Sequence, residues 1–319
     1  MKIVNGLQEF QNTSSPEVIL ALGNFDGVHL GHQQVIKTAV DKAKHYGIES
    51  AALIFDPHPL NVLAPNQEFK PLTDLETRAE LLAKRGLDYL IIEPFTHKLA
   101  EMPPEEFLYA YLHPMLKIKG LVAGYDYTFG HRAKGNTELL VRWGEKENLD
   151  IVICPPVKFN EEPVSSSVIR GKIQHGEMEI TAKFLNYYFF RRGRVIPGRG
   201  TGKKLGFPTA NLELNTKLIL PQEGVYFTLV QINDKLYSGA TNIGKCPTFS
   251  LGNLSVEVNI LNFQGQLYNE YLTLYFIKKL REEKEFSSTE KLKKQLQKDI
   301  ETVRALSDYY LDFSYVLQH

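Results

Sequence analysis

Cysteine is scarce in this 319-residue chain, which has only Cys154 and Cys246. Two thiols cannot build a disulfide framework, and such sparing use points to a reducing, cytoplasmic setting. An excess of one charge is also lacking, because 37 Lys and Arg balance 37 Asp and Glu. Zero net charge gives no long-range field to draw in nucleic acid or anionic lipid. Neither is expected as a partner, and any phosphate recognition has to be local. No run approaches the roughly 18 apolar residues that a membrane span needs. The opening "MKIVNGLQEF" has no apolar core of the signal-peptide kind. Internal repeats and low-complexity stretches are missing too. What remains is a composition with enough apolar residues, 43%, to bury about two cores.

The first part of the chain alternates short apolar runs with helical spacing. "VILALG", "AALIF", "YLIIE", "LVAG" and "IVIC" read as buried strands. Val35, Ile36, Ala39, Val40 and Ala43 share a helix face that Gly47 can end, with Gln33 at its start. Thr73 and Glu76 fit a capping box for the next helix. Strands separated by helices imply parallel βαβ units in a Rossmann-like α/β domain. After about residue 182 the rhythm changes. "GRVI", "GVYFTLVQI", "KLYSGATNI", "LSVEVNIL" and "YLTLYFI" follow one another without helices, and Asn233-Asp234 reads as a hairpin turn. An antiparallel β-barrel is expected, closed by one helix that Ser287 and Glu290 can cap and that carries Leu292, Leu296, Ile300 and Val303 on one side. The expected domains are therefore 1–182 and 183–319.

"GNFDGVHLGH", Gly23 to His32, carries the first candidate site. Glycines after a buried strand let a phosphate approach the backbone, and a helix start offers free N–H groups. His29 and His32 can both face that spot. Zinc fits poorly, because third and fourth ligands are not at hand. The stretch resembles the His-x-Gly-His signature of the nucleotidyltransferase superfamily. "FDPHP" (55–59), "GYDYTFGHRAKGN" (124–136) and "VSSSVIRGKIQHG" (164–176) resemble further motifs of the FMN adenylyltransferase module of bacterial bifunctional FAD synthetases. The resemblance implies catalytic His29 and His32. It implies ATP binding by Gly23, Phe25, Gly31, Ser166 and Arg170, and flavin binding by Asp56, His58, Asp126 and Phe129. In-line attack at a phosphate calls for positioning and charge neutralisation more than for a protein nucleophile.

"GRGTGKKLGFPTANL" (198–212) carries the second. Its glycines can fold over nucleotide phosphates, but a second Lys after Lys203 departs from the P-loop pattern. The segment resembles the riboflavin kinase signature, whose core is Pro-Thr-Ala-Asn. That resemblance implies ATP binding by Gly198, Gly202, Lys203 and Gly206, and Mg²⁺ held by Thr209 and Asn211, whose neutral oxygens suit a hard cation. It also selects Glu257, set between valines, as the base that takes the riboflavin hydroxyl proton, and Arg281 as a flavin contact.

The resemblance spans nearly the whole chain and implies riboflavin to FMN to FAD with ATP as co-substrate. Tyr127, Cys246 and Asn269 depart from the family pattern. They leave open an alternative in which one module is active and the other serves flavin binding or assembly. Asn269 can take the φ > 0 that a Gly would have used. A flavin sensor or nucleic-acid binder that had kept the folds would lack His29, His32 or Glu257, or show a basic, aromatic-interleaved surface. Any self-association is expected to be weak.

Overall fold

The apolar runs of the first part become a parallel sheet. Strand β2 (Glu17–Leu22) buries every residue from Val18 to Leu22, as expected of a strand covered on both faces. It is joined by β3 (Glu49–Asp56), β4 (Tyr89–Pro94), β5 (Lys117–Gly124) and β6 (Asp150–Cys154). An edge strand, β1 (Lys2–Asn5), completes the order β1-β4-β3-β2-β5-β6, parallel throughout. β1 is not among the expected strands because only Val4 of its four residues is buried, so it makes no apolar run. The computed structural model describes residues 1–13, 16–64, 66, 69–198, 200, 202, 205–245 and 254–310. It divides into two compact units, Met1–Ser166 and Ser167–His319.

The chain moves outward from β2 through β3 and β4, then returns to place β5 on its other side. The carboxyl ends of β2 and β5 thus flank the topological switch point, where an open α/β sheet leaves its ligand crevice. The helix Leu30–Tyr46 buries Val35, Ile36, Ala39, Val40 and Ala43 and ends at Gly47, φ +68°. It starts three residues before the expected Gln33, inside the motif itself. The helix Leu75–Ala83 is capped by Asp74, whose carboxylate accepts the Thr77 N–H, and not by Thr73. Thr73 has another partner, described below.

The second unit contains the helix Ser166–Gln174 from its second residue onward, the helix Met178–Leu185 and then a closed barrel. Its strands are β9 (Phe190–Ile196), β10 (Ala210–Leu214), β11 (Gly224–Ile232), β12 (Lys235–Lys245), β13 (Leu254–Ile260) and β14 (Tyr271–Arg281). They close antiparallel in the order β10-β13-β12-β11-β14-β9. A two-stranded ribbon, β7 (Lys158–Phe159) with β8 (Glu162–Pro163), lies in the first unit. Asn233 turns the β11–β12 hairpin at φ +52°, and Asn269 takes φ +68° before β14. The final helix, Thr289–Tyr310, packs Ile300 and Val303 with Phe227, Leu229 and Ile277. Its cap is Ser288, which accepts the Lys291 N–H at 3.3 Å; Ser287 instead receives the Lys291 ammonium.

Candidate active sites

After β2 the backbone makes a turn that ordinary residues avoid. Phe25 (φ +50°) and Val28 (φ +39°) both sit in the left-handed region, as does Gly27 (φ +80°). For non-glycine residues this costs on the order of 1–3 kcal/mol each, sustained only where the surroundings over-determine it. The bracing comes from residues 72–78. Asp26, 3% exposed, accepts the Leu72 N–H at 2.9 Å and the Thr73 N–H at 3.1 Å. Thr73 Oγ1 accepts the Gly27 N–H at 3.1 Å. Arg78, 4% exposed, donates from Nη1 to the Asn24 carbonyl at 3.0 Å and from Nη2 to the Thr73 carbonyl at 3.3 Å. Ser166 Oγ donates to the Asp26 carbonyl at 2.9 Å, so this candidate residue secures the same loop.

The turn delivers His29 as the cap of the Leu30–Tyr46 helix. Its Nδ1 accepts the His32 N–H at 3.3 Å, which makes Nδ1 the unprotonated nitrogen and Nε2 the N–H. The two rings stack at 3.6 Å with 20° between planes, and Phe25 meets His32 edge-on at 5.3 Å. Burial, then the neighbouring His29 and Arg78, hold His32 well below the usual imidazole range, so its ring is neutral. Gly31 lies against His29: a Cβ there would come 3.2 Å from the ring. Among the described residues, Asn24 Nδ2, His32 Nδ1 and Arg78 Nε are buried without a hydrogen-bond partner. No group of three or more His, Cys, Asp or Glu fit to hold a metal occurs among the described residues.

The expected flavin-side residues are distributed around the same sheet edge. Asp56 ends β3 and is exposed. His58 caps the short helix Pro59–Leu63 through Nδ1 and stacks on Phe69 at 4.2 Å. Asp126 is exposed in the loop after β5. Phe129 is 7% exposed and packs against Phe107 at 5.7 Å and Tyr127 at 5.9 Å, while its backbone pairs with Gly135. Burial pushes the Tyr127 phenol up from its usual range. Arg170, in the second unit, donates to Ser167 Oγ at 3.2 Å.

The second site lies on the outer face of the barrel. Val256 and Val258 point inward, 3% and 0% exposed, so Glu257 between them points out. In register with Glu257 stand Asn211 on β10 and Asn242 on β12. Directly paired residues share a face, so the three polar side chains form a row across three strands. Thr209 Oγ1 donates to Glu257 Oε2 at 3.2 Å, and Asn259 Nδ2 donates to the Pro208 carbonyl at 2.7 Å. Gly198 runs so close under Asn211 that a Cβ would overlap its amide; one on Gly202 would come 3.2 Å from Thr209 Oγ1. Gly206 bends the loop at φ +89°. Lys203 and Cys246 lie outside the described residues.

Arg281 is not a free strand-end cation. Nε and Nη2 grip the Asp299 carboxylate at 3.0 and 2.8 Å, and Nη1 donates to the Glu282 carbonyl at 3.0 Å. It joins the end of β14 to the last helix. Sequence reasoning did not single out Arg78, Asn242 or Asn259. Arg78 had a readable signal: it shares a helix face with Leu81 and Leu82, both buried, where a lone Arg needs partners.

The FAD synthetase family matches residues 11–168, and the riboflavin kinase family matches residues 185–307. A bifunctional riboflavin kinase/FMN adenylyltransferase of Listeria monocytogenes is 37% identical over 289 residues, covering 90% of this chain and 91% of that protein. The Bacillus subtilis protein of the same name is 35% identical, covering 88% and 90%. The Escherichia coli K12 one is 29% identical, covering 95% and 97%. A crystal structure described as a macrolide-efflux protein from Streptococcus pneumoniae aligns with TM-score 0.87 at 29% identity, over 95% of this chain and 99% of that one. No helix among the described residues here is long and apolar enough to cross a membrane.

Proposed function

This chain belongs to the family of bifunctional riboflavin kinases/FMN adenylyltransferases, and on that footing we propose how its residues divide the two reactions. The protein phosphorylates riboflavin to FMN with ATP and joins AMP from a second ATP to FMN, giving FAD and pyrophosphate. The reading in which one module has lost its activity has no support, since both families match in full order. We assign adenylyl transfer to residues 1–182 and phosphorylation to residues 183–319.

In the kinase module, the observation that carries the assignment is the hydrogen bond from Thr209 to Glu257. The Glu257 carboxylate takes the proton of the riboflavin 5′-hydroxyl as that oxygen bonds the γ-phosphorus and ADP leaves. Thr209 orients the carboxylate. Thr209 and Asn211 also suit Mg²⁺: both are neutral oxygen donors, and Gly198 leaves room that any side chain would fill. When bound there, Mg²⁺ would neutralise charge on the nucleotide phosphates. Gly198, Gly202, Lys203 and Gly206 would cover those phosphates with backbone N–H groups and a cation. Arg281 spends N–H donors of all three nitrogens on Asp299 and Glu282, and would meet a flavin through its remaining N–H groups or its planar face.

In the adenylyltransferase module no base is needed, because the FMN phosphate is already an anion. It attacks the ATP α-phosphorus and pyrophosphate departs. His29 and His32 donate N–H groups to the phosphates, with Gly23, Phe25, Gly31, Ser166 and Arg170 around the nucleotide. Asp56, His58, Asp126 and Phe129 would shape the flavin side. The reactants are small molecules. Zero net charge offers nucleic acid no field, a cytoplasmic setting follows from cysteine usage, and any self-association is weak.

Incubation with riboflavin, ATP and Mg²⁺, followed by chromatography of the flavins, tests the division of labour. The parent enzyme yields FMN and FAD. His32→Ala should stop at FMN, its FAD rate down about 10²–10³-fold. Equal FAD from both would remove His32 from the site.

A further inference from the structure

We propose that Arg78 is a positioning residue for adenylyl transfer, fixing the His29–His32 pair by locking the strained loop that carries it. This rests on the assignment of His29 and His32 to that reaction. The loop from Asn24 to His29 holds two non-glycine residues at positive φ, so its shape is imposed from outside and not preferred locally. Two braces on it each bind backbone N–H groups on one side of the junction. Asp26 fastens the backbone N–H groups of Leu72 and Thr73, and Thr73 Oγ1 takes the Gly27 N–H. Arg78 differs in that one planar fork binds carbonyls on both sides of the junction: Asn24 in the motif and Thr73 in the opposing segment. Its Nη2 also faces the Asp26 carboxylate at 3.9 Å. A rigid guanidinium sets the spacing between those two backbones as a flexible ammonium cannot.

The spacing matters because His29 Nδ1 must reach the His32 N–H, and the two rings must stay stacked at 3.6 Å. A shift of Asn24 passes along a few buried residues to His29. Displacing catalytic groups by about 1 Å can cost about 10² in rate without touching the reacting atoms. The arrangement is also buried, with Arg78 4%, Asp26 3% and His29 5% exposed, so water cannot replace a lost bond. Arg78 lies at the fourth position of the Leu75–Ala83 helix, which Asp74 caps, so the fork is mounted on a fixed element. The guanidinium has no place in the kinase module, which supplies an internal control on the same chain.

The test uses the full-length chain with Arg78→Lys, which keeps the cation, and Arg78→Met, which keeps the stem. Both reactions are assayed on one preparation, with Trp143 fluorescence following unfolding. Trp143 is the chain's single tryptophan and lies in the first unit. The expected result for Arg78→Lys is a folded protein whose FAD-forming kcat falls about 10–10²-fold. KM for ATP and FMN should stay within about twofold, because a displaced catalytic pair loses transition-state and not ground-state interactions. FMN formation should match the parent. His32→Ala runs in parallel. If Arg78→Lys makes FAD at the parent rate while His32→Ala does not, the proposal is overturned. If the Arg78→Lys deficit vanishes wherever Trp143 reports a fully folded unit, Arg78 is only a stabilising residue and the proposal is likewise overturned. If His32→Ala also keeps its rate, the assignment beneath the proposal fails instead. Should Arg78→Met unfold, the lysine variant alone decides.

Discussion

Thr209 and Glu257, 48 positions apart in sequence, share a hydrogen bond of 3.2 Å between the loop entering β10 and strand β13. The bond joins the residue expected to hold a cation to the residue expected to take a proton. It joins Thr209, just before β10, to the outer face of β13, with Asn211 in register beside Glu257. The hydroxyl gives the carboxylate a fixed partner that orients it, which a positioned general base requires.

Glu257→Gln keeps the shape and removes the proton acceptor. FMN formation should fall by at least about 10²-fold, with FAD formation from supplied FMN unchanged. Turnover of both reactions on one preparation checks this. Riboflavin phosphorylation near the parent rate would make Glu257 an ordinary strand residue.

Gly198→Ala tests the space under Asn211. The backbone there is not in the left-handed region, so the substitution adds no conformational strain, only a methyl group that overlaps the Asn211 amide. Asn211 must move, so the kinase KM for ATP at limiting Mg²⁺ should rise while FAD formation from FMN stays as it was. An unchanged Mg²⁺ dependence would separate Asn211 from the metal.

The strands and the order of modules were legible because buried strands make apolar runs and βαβ spacing is regular. β1 was not, with one buried residue, and neither was β10, hidden inside a motif read for chemistry. Caps were displaced by one residue, from Thr73 to Asp74 and from Ser287 to Ser288, since neighbouring cap-forming residues look equivalent until one finds another partner. The histidines were legible as a pair. What sets their geometry was not: Arg78, Asp26 and Thr73 meet the motif only through tertiary folding, and the Asn211–Glu257–Asn242 row exists only through strand register.

Separated modules should be unequally stable depending on where the chain is cut. The compact second unit begins at Ser167, and the helix Met178–Leu185 lies along β14, with Phe184 and Leu185 buried and Lys278 paired to Glu179 at 3.1 Å. A chain of residues 183–319 should still make FMN, and one of residues 167–319 should do so with a higher melting temperature. Losing the burial of Met178 removes roughly 2 kcal/mol by itself, or about 6 °C for a unit of this size. Equal melting temperatures would show that the helix contributes nothing to the barrel, and a folded 183–319 chain without kinase activity would move the functional boundary upstream.

Acid should weaken the first unit through His32. In the folded protein burial, with His29 and Arg78 nearby, keeps this ring neutral well below the usual imidazole pKa. In the unfolded chain it titrates near its ordinary value of about 6.5. Between those two values the unfolded state binds the proton and the folded state does not, so protonation favours unfolding as pH falls. The contribution is therefore constant above about 6.5 and is progressively lost below it. Trp143, buried against Tyr109 and His113 in the first unit, reports unfolding of that unit in urea. Its midpoint should be flat from pH 8 to about 7 and then fall toward pH 5. Other groups titrate in the same range, so the decisive comparison is with His32→Gln, which has no proton to take up. The variant should show a shallower fall over this window. ATP would oppose the effect, since phosphate charge near the ring favours its protonated form and raises its pKa. Parallel pH dependence in parent and variant would mean that His32 is not held neutral by its surroundings.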